Sequence, residues 1–292
     1  MAILAYDIGG SSVKYAVIKK DGTICTKGSF VTPETLGEFL DGMVQVKKKL
    51  EKDYKLIGVG CSFPGAVDDA AGVIGGSSAL PYIHGIPMKR MLEEQLGLPI
   101  AMENDANCAA IGEVWTGVAK GCKDVIFLVI GTGIGGAVVK DGRIHHGCHF
   151  HGGEFGYMIV DDENTILSDA GSTRVLVEET ARRKKVDPKT LDGQKVFAMA
   201  EKGDAEARAA VQRMYYYLAW GAYNLQYSFD PERIVLGGAV SAREDLAENV
   251  MREVDAIRKS VGIAHVRPEI VCCKNGNAAN LLGAAYTFLQ KK

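Results

Sequence analysis

Ile3-Leu4-Ala5-Tyr6-Asp7-Ile8-Gly9-Gly10-Ser11-Ser12-Val13-Lys14-Tyr15-Ala16-Val17-Ile18 decides the fold. Two apolar, β-prone runs, 3–8 and 13–18, meet at a short stretch of glycines and serines, and Lys20-Asp21-Gly22 then turns the chain into a third run over 23–31. The reading is strand, tight turn, strand, hairpin, strand. The pattern recurs. Residues 124–140, DVIFLVIGTGIGGAVVK, place a strand before Gly131-Thr132-Gly133 and another over 134–140, followed by the Asp141-Gly142 hairpin turn. Two such openings point to an internal structural duplication, with one α/β domain built on each.

Around these openings, helices and strands alternate. Pro33 stands at the start of a helix whose apolar positions Leu36, Phe39, Leu40, Met43, Val46 and Leu50 keep helical spacing. Strands are expected over 55–61 and 99–102, with helices over 88–96 and 105–115, and small polar residues at 116–121 read as a hinge. After the second opening come helices over 172–184, 193–201, 205–229, 242–260 and 277–289, with strands over 233–236 and 269–271. The expected division is an N-terminal α/β domain, 1–117 plus 277–292, and a C-terminal one, 118–276.

Composition narrows the function classes. Hydrophobic residues are 47% and charged residues 24%, the balance of a folded globular chain. A net charge of −2 gives no field to draw the chain to nucleic acid or an anionic membrane. Val125–Ile130 is too short to span a bilayer, and the first residues lack a signal-peptide pattern. Seven scattered cysteines make no disulfide framework, so a cytoplasmic location is the expectation. Glycine is in excess, 35 residues where a usage of ~7% would give about 20.

Several short motifs carry possible chemistry. Asp7-Ile8-Gly9-Gly10-Ser11-Ser12-Val13-Lys14 ends a strand in an acid and two glycines, so that backbone N–H groups, the two hydroxyls and Asp7 suit a phosphate and its Mg²⁺; an ordinary glycine hairpin reads equally well. Ile130-Gly131-Thr132-Gly133-Ile134-Gly135-Gly136 contains G-x-G-x-x-G, but a strand, not a helix, follows, which speaks against a dinucleotide site and for a phosphate-binding hairpin. Glu103-Asn104-Asp105-Ala106-Asn107 lies at a strand-to-helix junction, where Asp105 suits a general base and Asn104 a hydroxyl ligand, or both serve as helix caps. In Gly152-Gly153-Glu154-Phe155-Gly156-Tyr157 the carboxylate is flanked by glycines, and Gly237-Gly238 ends a strand where a nucleoside can lie against backbone; each is also readable as a plain turn. His145, His146, His149 and His151 surround Cys148, yet no C-x-x-C completes a zinc site. The aromatic run Met214-Tyr215-Tyr216-Tyr217 with Trp220 and Tyr223 reads as core packing or a subunit contact.

Taken in order, DIGGSSVK (7–14), SFPGAVD (62–68), ENDAN (103–107), GTGIGG (131–136), GGEFG (152–156) and IVLGG (234–238) resemble the ROK family of sugar kinases and repressors. The resemblance implies a two-domain actin-like ATPase (ribonuclease H-like) fold with an interdomain cleft, in which ATP-Mg²⁺ donates its γ-phosphate to a sugar hydroxyl. It implies Asp105 as the general base, Asn104 and Glu154 as sugar ligands with Gly65 and Tyr157 on the same side, and Asp7 on the Mg²⁺ side. It also implies Gly9, Gly10, Ser11, Ser12 and Lys14, with Gly131, Thr132 and Gly133, at the phosphates, and Gly237 and Gly238 at the nucleoside. A homodimer is the family expectation.

The departures from the family pattern bear on substrate. Family glucokinases and N-acetylmannosamine kinases read G-E-x-G-H followed by a C-x-C-G-x-x-G-C-x-E zinc segment. Here Tyr157 stands at the His position, no Cys occurs between Cys148 and Cys272, and alignment on Ser172-Thr173 puts the family's second Glu at Ser168. Zinc is therefore not expected. Loss of that His and Glu loosens the grip on the C1 and C2 hydroxyls and opens space for a sugar substituted at C1. The chain thus looks most similar to the family's β-glucoside kinases, with glucokinase or N-acetylmannosamine kinase as the alternative. Family repressors add a helix-turn-helix before the first glycine motif; with a strand starting at residue 3, a kinase rather than a sugar-sensing regulator is expected.

Overall fold

Strand β1 (Ala2–Ile8) is buried at every position but Asp7, the pattern of a strand covered on both faces. It holds the centre of a sheet with β2 (Ser12–Lys19), β3 (Ile24–Val31), β4 (Leu56–Phe63) and β7 (Ile100–Asn104), in the order β3-β2-β1-β4-β7. The hairpin strands β1, β2 and β3 pair antiparallel, whereas β4 and β7 run parallel to β1. The computed structural model describes residues 1–291, so Lys292, the end of the expected N-terminal domain, lies outside the described residues.

Alternation along β1 divides the core. Leu4, Tyr6 and Ile8 point to the layer of Phe39, Met43 and Leu92, carried by helices α1 (Leu36–Leu50) and α2 (Met88–Leu96). Ile3 and Ala5 point to the opposite layer, with Cys108 of α3 (Asp105–Thr116). Tyr6 is fully buried, and its hydroxyl donates to the Met43 carbonyl at 2.8 Å. The α1 cap is Thr35, whose side chain accepts from the Glu38 N–H, so Pro33 precedes the helix rather than opening it. A small hairpin, β5 (Ala66–Asp68) with β6 (Val73–Gly75), follows β4 in a stretch to which the sequence pattern assigned no element.

The second sheet repeats the first. β8 (Val125–Ile130) pairs antiparallel with β9 (Ile134–Lys140), which pairs with β10 (Arg143–Ile144), while β11 (Arg233–Gly237) and β12 (Ile270–Cys272) run parallel on the other side, in the order β10-β9-β8-β11-β12. The duplication read from the two glycine turns is thus present in the strand order. Helices α4 (Leu167–Gly171), α5 (Thr173–Lys184), α6 (Gly193–Glu201), α7 (Ala205–Phe229) and α8 (Leu246–Val261) supply Leu167, Leu176, Phe197, Leu218 and Val250 to the core over Ile126, Leu128 and Ile130. Helix α8 starts later than expected because residues 239–242 form a separate 3₁₀ turn, closed by the Ser241 hydroxyl donating to the Gly238 carbonyl at 2.7 Å. The aromatic run of α7 divides: Met214 and Tyr215 are buried in the core, whereas Tyr216 is 37% exposed.

Helix α9 (Ala279–Gln290) returns to the first sheet, where Leu281, Leu282, Ala284, Ala285 and Phe288 cover Ile3, Ala5, Ala16 and Ile18. The chain therefore forms two compact units, one of Met1–Gly121, His146–Gly152 and the segment from Asn277, the other of Cys122–His145 and Gly153–Gly276. Residues 118–121 and 146–152 lie in the first unit, where the expected division placed them in the second. Among the described residues no helix is long and apolar enough to cross a membrane.

Candidate functional site

In the first unit the strand registers assemble a polar row. Asp7 pairs with Lys14 across β1–β2 and with Ser62 across β1–β4, and Ser62 pairs with Glu103 across β4–β7. Residues in register share a face, so all four lie near the carboxyl ends of the parallel strands, where α/β sheets bind ligands. Asp7 Oδ1 accepts from the Ser62 hydroxyl (3.2 Å) and from the Asn280 amide of α9 (3.2 Å), and Oδ2 lies 3.4 Å from Lys14 Nζ. Beneath the row, Cys108 is fully buried. Burial pushes its thiol well above the ordinary range, and the neighbouring Glu103, Asp7 and Asp105 carboxylates add to the shift.

Asn104 and Asp105 sit where β7 becomes α3. The cap is Asn104: its Oδ1 accepts from the N–H groups of Ala106 (2.9 Å) and Asn107 (3.2 Å), and its Nδ2 donates to the Gly65 carbonyl (3.0 Å). Asp105 is the first helical residue; its Oδ1 accepts from Ala106 N–H at 2.9 Å, and its carbonyl accepts from Asn280 Nδ2 at 3.3 Å. Gly65 has a φ of +103°, and a Cβ there would meet the Gly75 carbonyl oxygen at 2.8 Å, so glycine is needed to present its carbonyl to Asn104. Gly10 and Ser11 lie exposed at the β1–β2 bend, which Gly9 closes by donating to the Ser12 carbonyl (3.1 Å) while accepting from the Thr32 hydroxyl (2.6 Å).

The second unit carries its own glycine cradle. The Gly131 N–H donates to the Gly133 carbonyl (2.9 Å), and the Gly131 carbonyl accepts from the N–H (2.9 Å) and hydroxyl (2.6 Å) of Thr173, leaving Thr132 and Gly133 exposed at the tip. Antiparallel pairing of β9 with β8 directly after this turn is incompatible with a helix-opening dinucleotide motif. The Ser168 hydroxyl accepts from Ile134 N–H at 2.9 Å, so this side chain braces the turn. The GGEFG turn packs on β9: Gly153 (φ +101°) would set a Cβ 2.8 Å from Ala137 Cα, while Glu154 and Tyr157 face outward, Tyr157 70% exposed. Gly238 has a φ of +85°, and a Cβ there would overlap the Ile130 carbonyl oxygen.

Beside Gly238 opens a cavity of about 470 Å³ lined by Thr173, Gln194, Phe197, Ala239, Val240 and Arg243, among others. Arg243 lies over the Phe197 ring, 4.2 Å from its centroid, and pairs with Glu201 and Asp245, each at 2.9 Å. A planar, polar-edged ring fits such a slot of aromatic, guanidinium and backbone surface. The structure thus groups the sequence-read residues in two sets. Asp7, Gly9, Gly10, Ser11, Ser12, Lys14, Gly65, Asn104 and Asp105 lie in the first unit, and Gly131, Thr132, Gly133, Glu154, Tyr157, Gly237 and Gly238 in the second. Ser62, Glu103 and His146 stood in stretches singled out from the sequence but without these roles, and Asn280, Phe197 and Arg243 were not singled out. Glu103 was legible within ENDAN, whereas the contacts of the others depend on strand register, helix packing or the bend of 146–152.

No group of three or more His, Cys, Asp or Glu side chains among the described residues is placed to hold a metal ion. Cys148 Sγ lies 3.0 Å from His149 Nδ1, and the pair is exposed.

The ROK family model matches residues 3–291. A β-glucoside kinase of Listeria monocytogenes is 32% identical over 298 residues, covering 100% of this chain and 99% of its own. Among solved structures, a ROK family protein from Streptococcus pneumoniae in complex with sucrose superposes with a TM-score of 0.92 at 36% identity, covering 100% of this chain and 99% of that one. A ROK family glucokinase from Streptomyces griseus in complex with glucose and AMPPNP superposes with a TM-score of 0.81 at 25% identity, covering 98% of each. The duplicated sheets are those of the actin-like ATPase fold, and the chain belongs to the ROK family.

Proposed function

We propose that the chain is an ATP-dependent sugar kinase, and that its acceptor is the 6-hydroxyl of the non-reducing glucose of a β-glucoside such as cellobiose. The observation that carries the kinase reading is the Asn104–Asp105 corner. Asn104 is fixed by the helix cap and by Gly65, and Asp105 stands next to it at the carboxyl end of β7. A carboxylate so placed takes the hydroxyl proton as oxygen attacks phosphorus. Asn104 and the outward-facing Glu154 orient the sugar, and the backbone of the exposed residues Gly10, Ser11, Thr132 and Gly133 carries phosphate charge. The cavity beside Gly238 takes the base. Asp7, whose Oδ2 is held only by a 3.4 Å contact to Lys14, would hold a hydrated Mg²⁺, which would supply positive charge at the phosphates.

Substrate choice rests on residues 157 and 168. Tyr157 replaces a histidine and is exposed, and Ser168 is occupied in bracing Ile134, so neither grips an anomeric hydroxyl. This reading carries with it a cytoplasmic homodimer. ATP consumption measured with cellobiose, glucose and N-acetylmannosamine tests it. Cellobiose is expected to give the highest kcat/KM. Turnover of a free monosaccharide far above cellobiose overturns the specificity, and no turnover of any sugar overturns the kinase reading in favour of a regulator.

A further inference from the structure

Residues 146–152 form a strap that leaves the second sheet after His145, whose N–H donates to the Val138 carbonyl, and joins the first unit. The strap is bent on itself, with the Gly152 N–H donating to the His146 carbonyl at 2.8 Å and Gly147 at a φ of +72°. Its anchor is His146, whose Nε2 lies 2.9 Å from Glu103 Oε2, with the Phe150 ring 6.1 Å from the imidazole. Glu103 is only 5% exposed, and its other oxygen accepts from Asn104 N–H (2.8 Å) and Asn107 Nδ2 (3.0 Å). One buried carboxylate therefore joins three things. It holds the backbone of the proposed sugar ligand Asn104, it holds the first turn of the helix that carries Asp105, and it holds a strap that runs two residues further into Glu154.

We propose that the His146–Glu103 contact is a latch, in which His146 is a positioning residue that, through Glu103, holds Asn104 and the first turn of α3 in place and grips most firmly when its imidazole is charged. The proposal rests on the sugar-kinase reading for what the latch positions. Charge-assisted bonds are about twice as strong as neutral ones, and a buried carboxylate without its donor is costly, so the charge on His146 matters at this contact. The groups facing the imidazole are Glu103 from β7, Asp68 from β5 and Lys291 beyond α9. The hydrogen bond to Glu103 raises the imidazole above its ordinary value, with Asp68 assisting and burial and Lys291 opposing. Because the folded value is the higher one, the contribution is complete below the ordinary histidine value and fades as pH rises through the raised one.

Two measurements test the latch. The first is an NMR titration of the His146 imidazole, assigned by its loss in His146→Gln, in the wild type and in Glu103→Gln. The second is KM and kcat for the sugar, cellobiose or whichever of the three above is turned over, from pH 5.5 to 8.5 in wild type, His146→Gln and His146→Arg. His146 is expected to titrate above a free histidine and to fall back in Glu103→Gln. Wild-type sugar KM is expected to rise about fivefold across that titration while kcat changes less. His146→Gln is expected to hold the high KM at every pH, and His146→Arg, which keeps a permanent cation, to restore the low one without a pH slope. An ordinary titration, or a wild-type KM that is flat in pH and matched by His146→Gln, overturns the latch. Should Glu103→Gln fail to fold, the two His146 variants decide it. Should no sugar be turned over, the kinase reading falls, and hydrogen exchange of residues 146–152 decides the latch alone; strap amides no faster in His146→Gln than in wild type would overturn it.

Discussion

Asp105 is the first residue of α3, and the capping duty falls on Asn104 beside it. This division separates stability from chemistry. Replacing the cap, Asn104→Ala, removes acceptors for two N–H groups and costs about 1 kcal/mol besides any sugar contact. Replacing Asp105 by Asn keeps the side-chain shape and an acceptor for Ala106, losing a helix-dipole contribution of about 0.3–1 kcal/mol. Asp105→Asn is therefore expected to unfold within about 4 °C of wild type while kcat falls by about 10²–10⁴, the usual range for a lost general base. Differential scanning calorimetry and a coupled ATPase assay on one preparation check both parts. Turnover within tenfold of wild type would remove Asp105 from the role of base. Sequence alone left open which of the two residues caps the helix, because Asn and Asp are near-equal caps and only backbone geometry separates them.

At the scale of the element, the helices followed from apolar spacing, but their closest contacts did not. The spacing around Asn277 to Leu289 shows that a helix forms there and not what it touches. In the structure α9 lies so near α3 and β4 that a Cβ on Gly283 would overlap the Cys108 carbonyl oxygen, and one on Gly60 would overlap that of Ala284. Both opposing atoms are backbone and cannot swing aside. Gly283 lies within a helix, where Ala is otherwise the better residue by about 1 kcal/mol, so packing and propensity predict opposite signs for Gly283→Ala. Overlap with backbone is the larger effect. The variant is expected to lose about 1–3 kcal/mol and about 3–10 °C in melting temperature. A melting temperature at or above wild type in calorimetry would show that α9 can move away from α3 without cost. The β5–β6 hairpin and the strap 146–152 were illegible for a related reason: neither has a periodic apolar face, and each is held by contacts distant in sequence.

At the scale of the whole molecule, the duplication was legible because each half repeats a strand, a glycine turn and a hairpin in one order, and the sheets repeat the same strand order. The first unit is assembled from three separate stretches of chain, of which the expected division already joined 1–117 and 277–292 but not the middle one, His146–Gly152. Its core depends on the last of them. Leu281, Leu282 and Phe288 are each at most 4% exposed, and burial of side chains of this size contributes about 1.5–3 kcal/mol apiece. Their loss together with α9 would remove about 5–9 kcal/mol, comparable to the whole stability of a domain, along with the Asn280 contacts to Asp7 and Asp105. The core of the second unit, by contrast, contains no residue of α9. A chain ending at Gly276 is therefore expected to lose protection in β1, β4 and β7 and to keep it in β8, β9 and β11. Hydrogen exchange read by mass spectrometry checks this peptide by peptide. Simultaneous loss in both sheets would mean that the second unit does not stand on its own core, and retained protection in β1 would mean that the first sheet holds without its α9 layer.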